Sequence, residues 1–468
     1  MLFSSPLFLF LFFPLATLAV LAAPRRARDW VLLGASGLFY FWGEPRFFFL
    51  VIASAMADYL IGARVHAALG TPAARRWLAL GVALNLALLG CFKYMDFFIG
   101  SVNRLLAPLG NEGFGLLHIA LPIGVSFIVF EKISYLVDIG RGRAPPAPLL
   151  RDYLLYVLLF PKLLAGPIVK YHDFAPQLRE HRITADDLTI GFARFLRGLA
   201  KKVLIADTLG QVADQVFGLP AWQLGFANAW LGLACFTLQI YFDFSAYSDM
   251  AIGLARMFGF RLMENFNLPY CARSFTEFWH RWHISLSTWI REYLYLPLGG
   301  NRHGAVRTAV NLWLCFLLSG LWHGAQWTFV LWGAYHGLML TLDKLFWVRL
   351  SARLPGLMQT AITLLLVMLG WAIFRSPTLE QMGNFFSALF SPAREGRLLF
   401  LTRDIWLALI AGTLLSVAPA WFDLQRARAT WQGPRARVAA YWALAAVGLF
   451  ALGKAVTVTF QPFLYFRF

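Results

Sequence analysis

Charged residues are scarce in this sequence, and acidic residues are the scarcest. Only 14% of the 468 residues are Asp, Glu, Lys or Arg, whereas 59% are hydrophobic. Typical soluble domains carry about a quarter charged residues, so the composition excludes that class. The 41 basic residues outnumber the 24 acidic ones. No polar domain with interleaved basic and aromatic residues exists to bind nucleic acid, so we expect the excess positive charge to meet membrane lipid instead.

Cysteines, repeats and linkers are also few. The four cysteines (Cys91, Cys235, Cys271 and Cys315) are far apart in or beside apolar runs, so they predict buried free thiols rather than disulfides or a metal site. Without an internal repeat or a low-complexity linker, residues 1–468 read as one integral membrane domain. Its motif-rich core spans about 120–345, and C-terminal helices at about 357–454 form a scaffold.

Long apolar runs are abundant. A helix needs roughly 20 apolar residues to cross a bilayer, and the runs predict an all-α, polytopic membrane protein with roughly 11 to 13 crossings. The predicted spans lie near residues 4–23, 29–43, 47–63, 77–92, 115–137, 150–169, 190–210, 225–258, 308–322, 325–342, 357–374, 405–422 and 438–453.

The basic residues between these spans predict an orientation. Residues 1–24 carry no charge, and three arginines follow within 25–28. This arrangement favours a retained first helix over a cleaved signal peptide, with the N-terminus outside and the arginines inside. Further basic stretches lie at 64–76, 141–143, 349–353 and 426–437.

The stretch LLFPKLLAGPIVKYHDF, residues 158–174, does not resemble a simple span. It places Pro161, Lys162, Gly166 and Pro167 within an apolar run. Proline interrupts a helix, and broken backbone at membrane depth requires burial in protein or a wet cavity. The pattern predicts a re-entrant or broken element beside a cavity, with a surface loop as the alternative.

A second unusual stretch, residues 238–260, is predicted to be an apolar helix that contains two acidic residues. Gln239 and Asp243 share one helix face, and Ser245 and Asp249 share another. Acids on two faces predict a helix surrounded by protein. Each acid could pair with arginines of neighbouring helices or serve a functional site; the first reading is favoured for Asp249, and both remain open for Asp243.

The stretch 274–302 is too charged for a span and too aromatic for a free loop, which predicts an interfacial helix. His283, Ser287 and Arg291 follow one another at four-residue spacing. His280 and His283 have HxxH spacing, but neither a cysteine nor an HExxH motif accompanies them. Zinc binding is therefore not predicted.

Residues 308–342 contain no Asp, Glu, Lys or Arg, and their two histidines are His323 and His336. As one helix this segment would measure about 50 Å, longer than a hydrocarbon core of roughly 30 Å. A break near 319–325, where small residues cluster, places His323 at a helix end. His323 could be a satisfied core residue or a proton acceptor in acyl transfer from a thioester to an alcohol. His336 is predicted to pack.

Several strings resemble those of the bacterial membrane-bound O-acyltransferase family. They are FSSPLFLFLFFP (3–14), LPIGVSFIVFEKISYLVD (121–138), AGPIVKYHDF (165–174), IYFDFSAYSDMAIG (240–253), FWHRWHISLSTWIREYLY (278–295) and GLWHGA (320–325). The similarity extends to about residue 376 and is closest to alginate and other polysaccharide O-acetyltransferases. Ala246, His280 and Glu292 depart from the usual Gly, Arg and Asp.

The resemblance implies helices around a central funnel or tunnel, with His323 as the catalytic histidine and His283 at a second functional position. Substrate-binding residues expected along the tunnel are Lys162, Tyr241, Asp243, Trp282 and Arg291. It implies acetyl-CoA as donor, no tightly bound cofactor or metal, an exported polysaccharide as acceptor, and periplasmic acetyltransferase partners at the bacterial inner membrane.

Three other functions remain open. The same fold could transfer D-alanine to teichoic acid. Alternatively, Asp243, Asp249 and the histidines could relay protons in a coupled transporter. The chain could also recruit periplasmic enzymes without doing chemistry itself.

Overall fold

The chain is built from α-helices. The computed structural model describes residues 1–110, 113–397, 399–420, 433–457 and 462–464, and no β-strand occurs among them, which confirms the all-α prediction. Within these residues, five helices are long and apolar enough to cross a membrane: Pro45–Ala67, Pro72–Leu109, Gly304–His323, Gly356–Arg375 and Val438–Thr457. The count of 11 to 13 crossings stays a prediction. Most of the basic stretch 426–437 and the end of the span 405–422 lie outside the described residues.

The helices are numbered along the chain. The first ten are α1 (Phe13–Ala22), α2 (Arg28–Gly43), α3 (Pro45–Ala67), α4 (Pro72–Leu89), α5 (Met95–Leu106), α6 (Val125–Gly140), α7 (Leu150–Leu158), α8 (Phe160–Leu163), α9 (Tyr171–Glu180) and α10 (Ala185–Ala200). They are followed by α11 (Asp207–Phe217), α12 (Phe226–Met257), α13 (Phe275–Arg281), α14 (Ile284–Ile290), α15 (Gly304–His323), α16 (Trp327–Leu342), α17 (Val348–Ser351), α18 (Gly356–Arg375), α19 (Leu379–Leu389), α20 (Arg403–Val417) and α21 (Pro434–Thr457).

The chain folds into two compact units. The first contains residues 1–192 and 251–263, and the second contains residues 193–250 and 264–468. That residues 1–468 form one functional domain stays a prediction.

In the first unit, α6 packs against α3 and α4. Gly62 of α3 and Gly81 of α4 leave no room for a Cβ atom beside Tyr135 and Leu136 of α6, so small residues allow these helices to approach closely. Nearby, Lys132 of α6 forms a buried ion pair with Asp58 of α3 at 3.0 Å. Asn85 of α4 donates to the same carboxylate at 2.9 Å, which joins all three helices.

The proline-rich stretch after α7 is broken and buried. Helix α7 ends at Leu158, α8 makes one turn, and residues 167–170 have no regular structure before α9 begins. Residues 158–171 are all buried. The broken-element prediction is confirmed, and the surface-loop alternative is wrong because the interior covers this backbone.

The part of α12 that belongs to the second unit, up to residue 250, ends in a fully buried stretch. Residues 238–250 are all buried, as the acids on two of its faces predict. Asp249 is held by Arg194 and Arg197 at 3.0 Å each and by Lys201 at 2.8 Å. The predicted pairing of Asp249 with neighbouring cations is therefore confirmed.

Helices α15 and α16 form a tight antiparallel hairpin. The predicted break is confirmed, since α15 ends at His323 and α16 begins at Trp327. A Cβ atom on Gly320 would meet the backbone of Phe329, and one on Gly333 would meet the backbone of Phe316. The two glycines thus bring the helix backbones together and fix the position of the end of α15.

Two smaller predictions are wrong. Residues 115–124 were expected to be helical, but α6 begins only at Val125, after Pro122 and after Gly124, whose φ is +76°. Proline lacks a backbone donor, so the helix starts beyond this pair. Cys91 is exposed, whereas the other three cysteines are buried.

Candidate active site

His323 is the last residue of α15 and is 7% exposed. Aromatic rings surround its imidazole, with centroid distances of 5.0 Å to Trp322, 5.1 Å to Trp332 and 5.4 Å to Phe374. These rings come from α15, α16 and α18. The imidazole is therefore held in an aromatic pocket at the point where α15 stops.

His283 lies between α13 and α14 and is fully buried. Its ring centroid is 6.5 Å from that of His323. Its backbone is left-handed, with φ of 44° and ψ of 54°, a conformation that residues with a side chain rarely adopt. The two histidines predicted to be functional are thus brought together, although one follows α13 and the other ends α15.

Asn265 holds His283 in this position. The Asn265 side-chain oxygen is 3.2 Å from Nδ1 of His283 and accepts hydrogen bonds from the amide and hydroxyl of Ser285 at 3.1 and 2.9 Å. The Asn265 backbone carbonyl accepts from the amide of Ile284 at 3.0 Å. The sequence interpretation missed Asn265; its only signal is a polar side chain in an irregular stretch between two motif-bearing helices.

Burial decides the charge of His283. It lowers the pKa of this imidazole to about 3, because the apolar surroundings disfavour the charged form. His283 is consequently neutral near pH 7. A neutral imidazole has one nitrogen with a free electron pair, which can accept a proton.

A cavity of about 300 Å³ lies along α14 and α15 in the second unit. Trp279 and Phe316 contribute to its apolar wall, and Ser287 is half-buried within the lining. Arg291 and Lys344 are exposed residues of the same lining. The predicted series His283, Ser287, Arg291 therefore runs from a buried imidazole to an exposed cation.

Tyr241 and Trp282 belong to an aromatic cluster. Their ring centroids are 6.2 Å apart, and Trp282 lies 4.8 Å from Trp371. Both side chains are buried. Trp282 directly precedes His283 in the chain, so this cluster supports the backbone at that histidine.

Asp243 and Lys162 are each held by a partner that the sequence interpretation did not name. Asp243 pairs with Lys202 at 2.6 Å and accepts from the backbone amide of Leu464 at 2.6 Å. Lys162 belongs to the first unit, where it pairs with Glu131 at 2.5 Å. These contacts give both side chains a structural task; their predicted binding roles stay predictions.

His336 packs in the core, as predicted. Trp279 donates its indole N–H to Nδ1 of His336 at 3.2 Å, and the imidazole is fully buried. Aromatic rings also surround it, including Trp332 at 4.7 Å. The structure thus separates a packing histidine from the His283–His323 pair.

The cavity is lined by Ile284, next to His283, and by Ser319, one turn before His323, but by neither histidine itself. A helical membrane protein with such a buried histidine pair has functional groups that suit a membrane-embedded acyltransferase. Comparison with known proteins agrees with this class. The sequence profile of the membrane-bound O-acyltransferase family, MBOAT, matches residues 144–374. Together with the relatives described next, this match shows that the chain belongs to that family and is an acyltransferase.

The chain is similar to several named members. It is 48% identical to the "Probable alginate O-acetylase AlgI" of Pseudomonas syringae over 392 residues, which cover 84% of this chain and 75% of the relative. It is 35% identical to the peptidoglycan O-acetyltransferase of Helicobacter pylori, over 81% of this chain and 78% of the relative. Similarity to the teichoic acid D-alanyltransferase of Bacillus subtilis is lower, 26% over 54% of this chain and 67% of the relative.

Proposed function

We propose that this chain takes an acetyl group from acetyl-CoA on the cytoplasmic side of the bacterial inner membrane and delivers it for O-acetylation of an exported polysaccharide such as alginate. The names of the relatives with 48% and 35% identity support an O-acetyl product on a polysaccharide or on peptidoglycan. The observation that carries the proposal is the buried pair of imidazoles with ring centroids 6.5 Å apart.

His323 acts as the general base in this proposal. His283 either positions the reacting groups or shares the proton that His323 takes up. His323 removes the proton of the acceptor hydroxyl as that oxygen forms a bond to the thioester carbonyl carbon. The C–S bond then breaks, and the proton passes to the departing thiolate, so that atoms and charge balance. Proton transfer by a placed side chain typically contributes 10²–10⁴-fold to a rate, and orientation of the two reactants adds to it.

The donor enters through the cavity along α14. Its exposed cations, Arg291 and Lys344, suit the phosphates of coenzyme A, because guanidinium and ammonium groups bind phosphate oxygens through charge-assisted hydrogen bonds. The apolar wall with Trp279 and Phe316 suits the thin pantetheine arm. Tyr241 and Trp282 do not line this cavity but pack in the aromatic cluster next to His283, so their part in substrate binding stays a prediction.

The alternatives have less support. D-alanyl transfer relies on a relative that is similar over only 54% of the chain. A proton relay through Asp243 and Asp249 is disfavoured because both carboxylates are held by lysines or arginines. A scaffold without chemistry would give the buried histidine pair no task. Periplasmic acetyltransferase proteins remain the expected partners, since an acetyl group delivered outside needs an acceptor there.

The donor and the base can be tested together in one assay. Membranes with the wild-type protein should transfer label from radioactive acetyl-CoA to alginate or a periplasmic partner, but not from a D-alanyl carrier protein. His323→Ala should insert normally and lose this transfer. The matched control is His66→Ala, since His66 is an exposed residue near the end of α3 in the first unit. Wild-type transfer by His323→Ala would disprove the assigned role.

A further inference from the structure

The hydrogen bonds around Asn265 fix the chemical form of His283. We propose that Asn265 is a positioning residue that holds His283 protonated at Nδ1, so that only Nε2 can take up a proton. The inference deepens the proposed function and rests on it for the use of that nitrogen. The tautomer itself follows from contacts within the second unit.

The first step is the orientation of the Asn265 amide. A backbone N–H can only donate, and the amide of Ser285 points at one end of the Asn265 side chain at 3.1 Å. That end must be the carbonyl oxygen. The NH₂ end then faces the hydroxyl of Ser248 at 3.2 Å, which can accept. A backbone donor therefore fixes which atom faces His283.

The second step is the imidazole. Nδ1 of His283 lies 3.2 Å from the same carbonyl oxygen, which is an acceptor only, so Nδ1 must carry the proton. A neutral imidazole carries one proton, which leaves Nε2 of His283 with its lone pair. Nε2 is buried and has no hydrogen-bond partner among the described residues. An unprotonated ring nitrogen is thus held in the protein interior.

The third step is the backbone strain at His283. Its left-handed conformation is strained and persists only when surrounding contacts enforce it. The amide of Ile284 donates to the carbonyl of Asn265 at 3.0 Å, and the amide of Asn267 donates to the carbonyl of Arg281 at 2.9 Å. Residues 265–267 are therefore hydrogen-bonded to the backbone on both sides of His283, and these bonds keep its ring against Asn265.

During the reaction, this arrangement leaves Nε2 as the one nitrogen of His283 that can accept a proton. The proton that His323 takes from the acceptor hydroxyl can be shared with Nε2 of His283, while the other proton stays on Nδ1, which donates it to the Asn265 oxygen. The shared proton then leaves on the departing thiolate as a free thiol, which returns both imidazoles to their neutral starting state. Asn265 touches neither reactant in this scheme.

The tautomer can be measured without an activity assay. We expect ¹⁵N NMR of histidine-labelled protein in lipid nanodiscs at pH 7 to show a protonated Nδ1 and an unprotonated Nε2 for His283, with signals assigned by their loss in His283→Gln. Asn265→Ala should mix or reverse the tautomers, whereas Asn265→Asp, which keeps an acceptor oxygen, should preserve Nδ1–H. A proton on Nε2 in the wild type, or an unchanged tautomer in Asn265→Ala, would overturn the proposal.

Kinetics then test the consequence. Asn265→Ala should lower kcat at least about tenfold, a loss of the size seen when the partner that orients a metal-bound histidine is removed, with KM for acetyl-CoA unchanged. Asn265→Asp should recover most of kcat. Ser248→Ala, which removes only the contact to the amide NH₂, should remain near wild type. Equal losses in the Ala and Asp variants would contradict the positioning role. A wild type that has the expected tautomer but transfers no acetyl group would refute only the proposed function.

Discussion

At the scale of single residues, three buried histidines of the second unit differ in their surroundings. His323 ends a helix in an aromatic pocket, His283 is held by Asn265, and His336 accepts an indole N–H from Trp279. Sequence alone distinguishes them weakly, because each lies among apolar and aromatic residues. Their hydrogen-bond partners assign one to packing and leave two for chemistry.

The packing histidine should matter for stability. His336→Leu leaves the Trp279 N–H buried without its acceptor, which should cost about 1–3 kcal/mol of unfolding free energy. Thermal unfolding in detergent should show a lower midpoint, while acetyl transfer per folded molecule is kept. Loss of transfer in a fully folded His336→Leu protein would contradict this division of roles.

The exposed cations of the cavity should affect donor binding. Arg291→Ala or Lys344→Ala should raise KM for acetyl-CoA roughly three- to tenfold, about 0.7–1.4 kcal/mol, with a smaller change in kcat. Arg349→Ala is the matched control, because this exposed arginine is close in sequence to Lys344 but does not line the cavity. Equal KM values in all three variants would place the donor elsewhere.

Substitutions in the buried ion pair of Lys162 and Glu131 can distinguish a structural role of Lys162 from a role in substrate binding. Lys162→Met alone leaves a buried carboxylate unpaired and should cost about 3–5 kcal/mol, whereas replacing both by apolar residues of similar size is often neutral. The double variant Lys162→Met, Glu131→Leu should therefore regain the expression level of the wild type. Transfer activity of that folded double variant then decides the binding prediction: activity near wild type removes Lys162 from the substrate route.

At the scale of elements, the α15–α16 hairpin positions His323. Gly320→Ala would push a methyl group into the backbone of Phe329, so both the unfolding midpoint and kcat should fall. The control is Gly34→Ala in α2, where nothing lies within 4 Å of the added atom; it should be neutral or stabilise by up to about 1 kcal/mol. Wild-type kcat in Gly320→Ala would show that the hairpin spacing does not control the site.

Element boundaries follow from the sequence where length or polarity constrains them. The break after His323 is predictable because 308–342 is too long for one crossing, and the burial of α12 is predictable because its acids lie on two faces. The delayed start of α6 was missed, since the run before Val125 is as apolar as a helix. Hydropathy alone does not register that Pro122 and Gly124 interrupt that run.

The contacts that complete the site could not be predicted from the sequence. Asn265 reaches His283 only because an irregular stretch folds beside the start of α14. Asp243 was expected to meet arginine or substrate, yet it meets Lys202 and a backbone amide of Leu464 near the end of the chain. Such long-range partners depend on packing, so a single sequence indicates that a buried charge has a partner but not which one.

At the scale of the whole molecule, orientation is the next quantity to test. Trp42 lies at the end of α2 and Thr71 lies just before α4, with α3 between them, and both are exposed. In a cysteine-free background, Trp42→Cys should react with a membrane-impermeant thiol reagent added to the periplasmic side, and Thr71→Cys should not. The reverse pattern would place the N-terminus in the cytoplasm.

Transfer across the membrane tests the central claim most directly. Proteoliposomes would carry radioactive acetyl-CoA at the cytoplasmic face of the protein and alginate oligosaccharides, with the periplasmic partner where it is needed, at the opposite face. We expect covalently bound label to accumulate on that opposite side with the wild type and to be absent with His323→Ala. Label that stays with acceptors on the donor side, or equal accumulation with His323→Ala, would contradict transfer through this histidine.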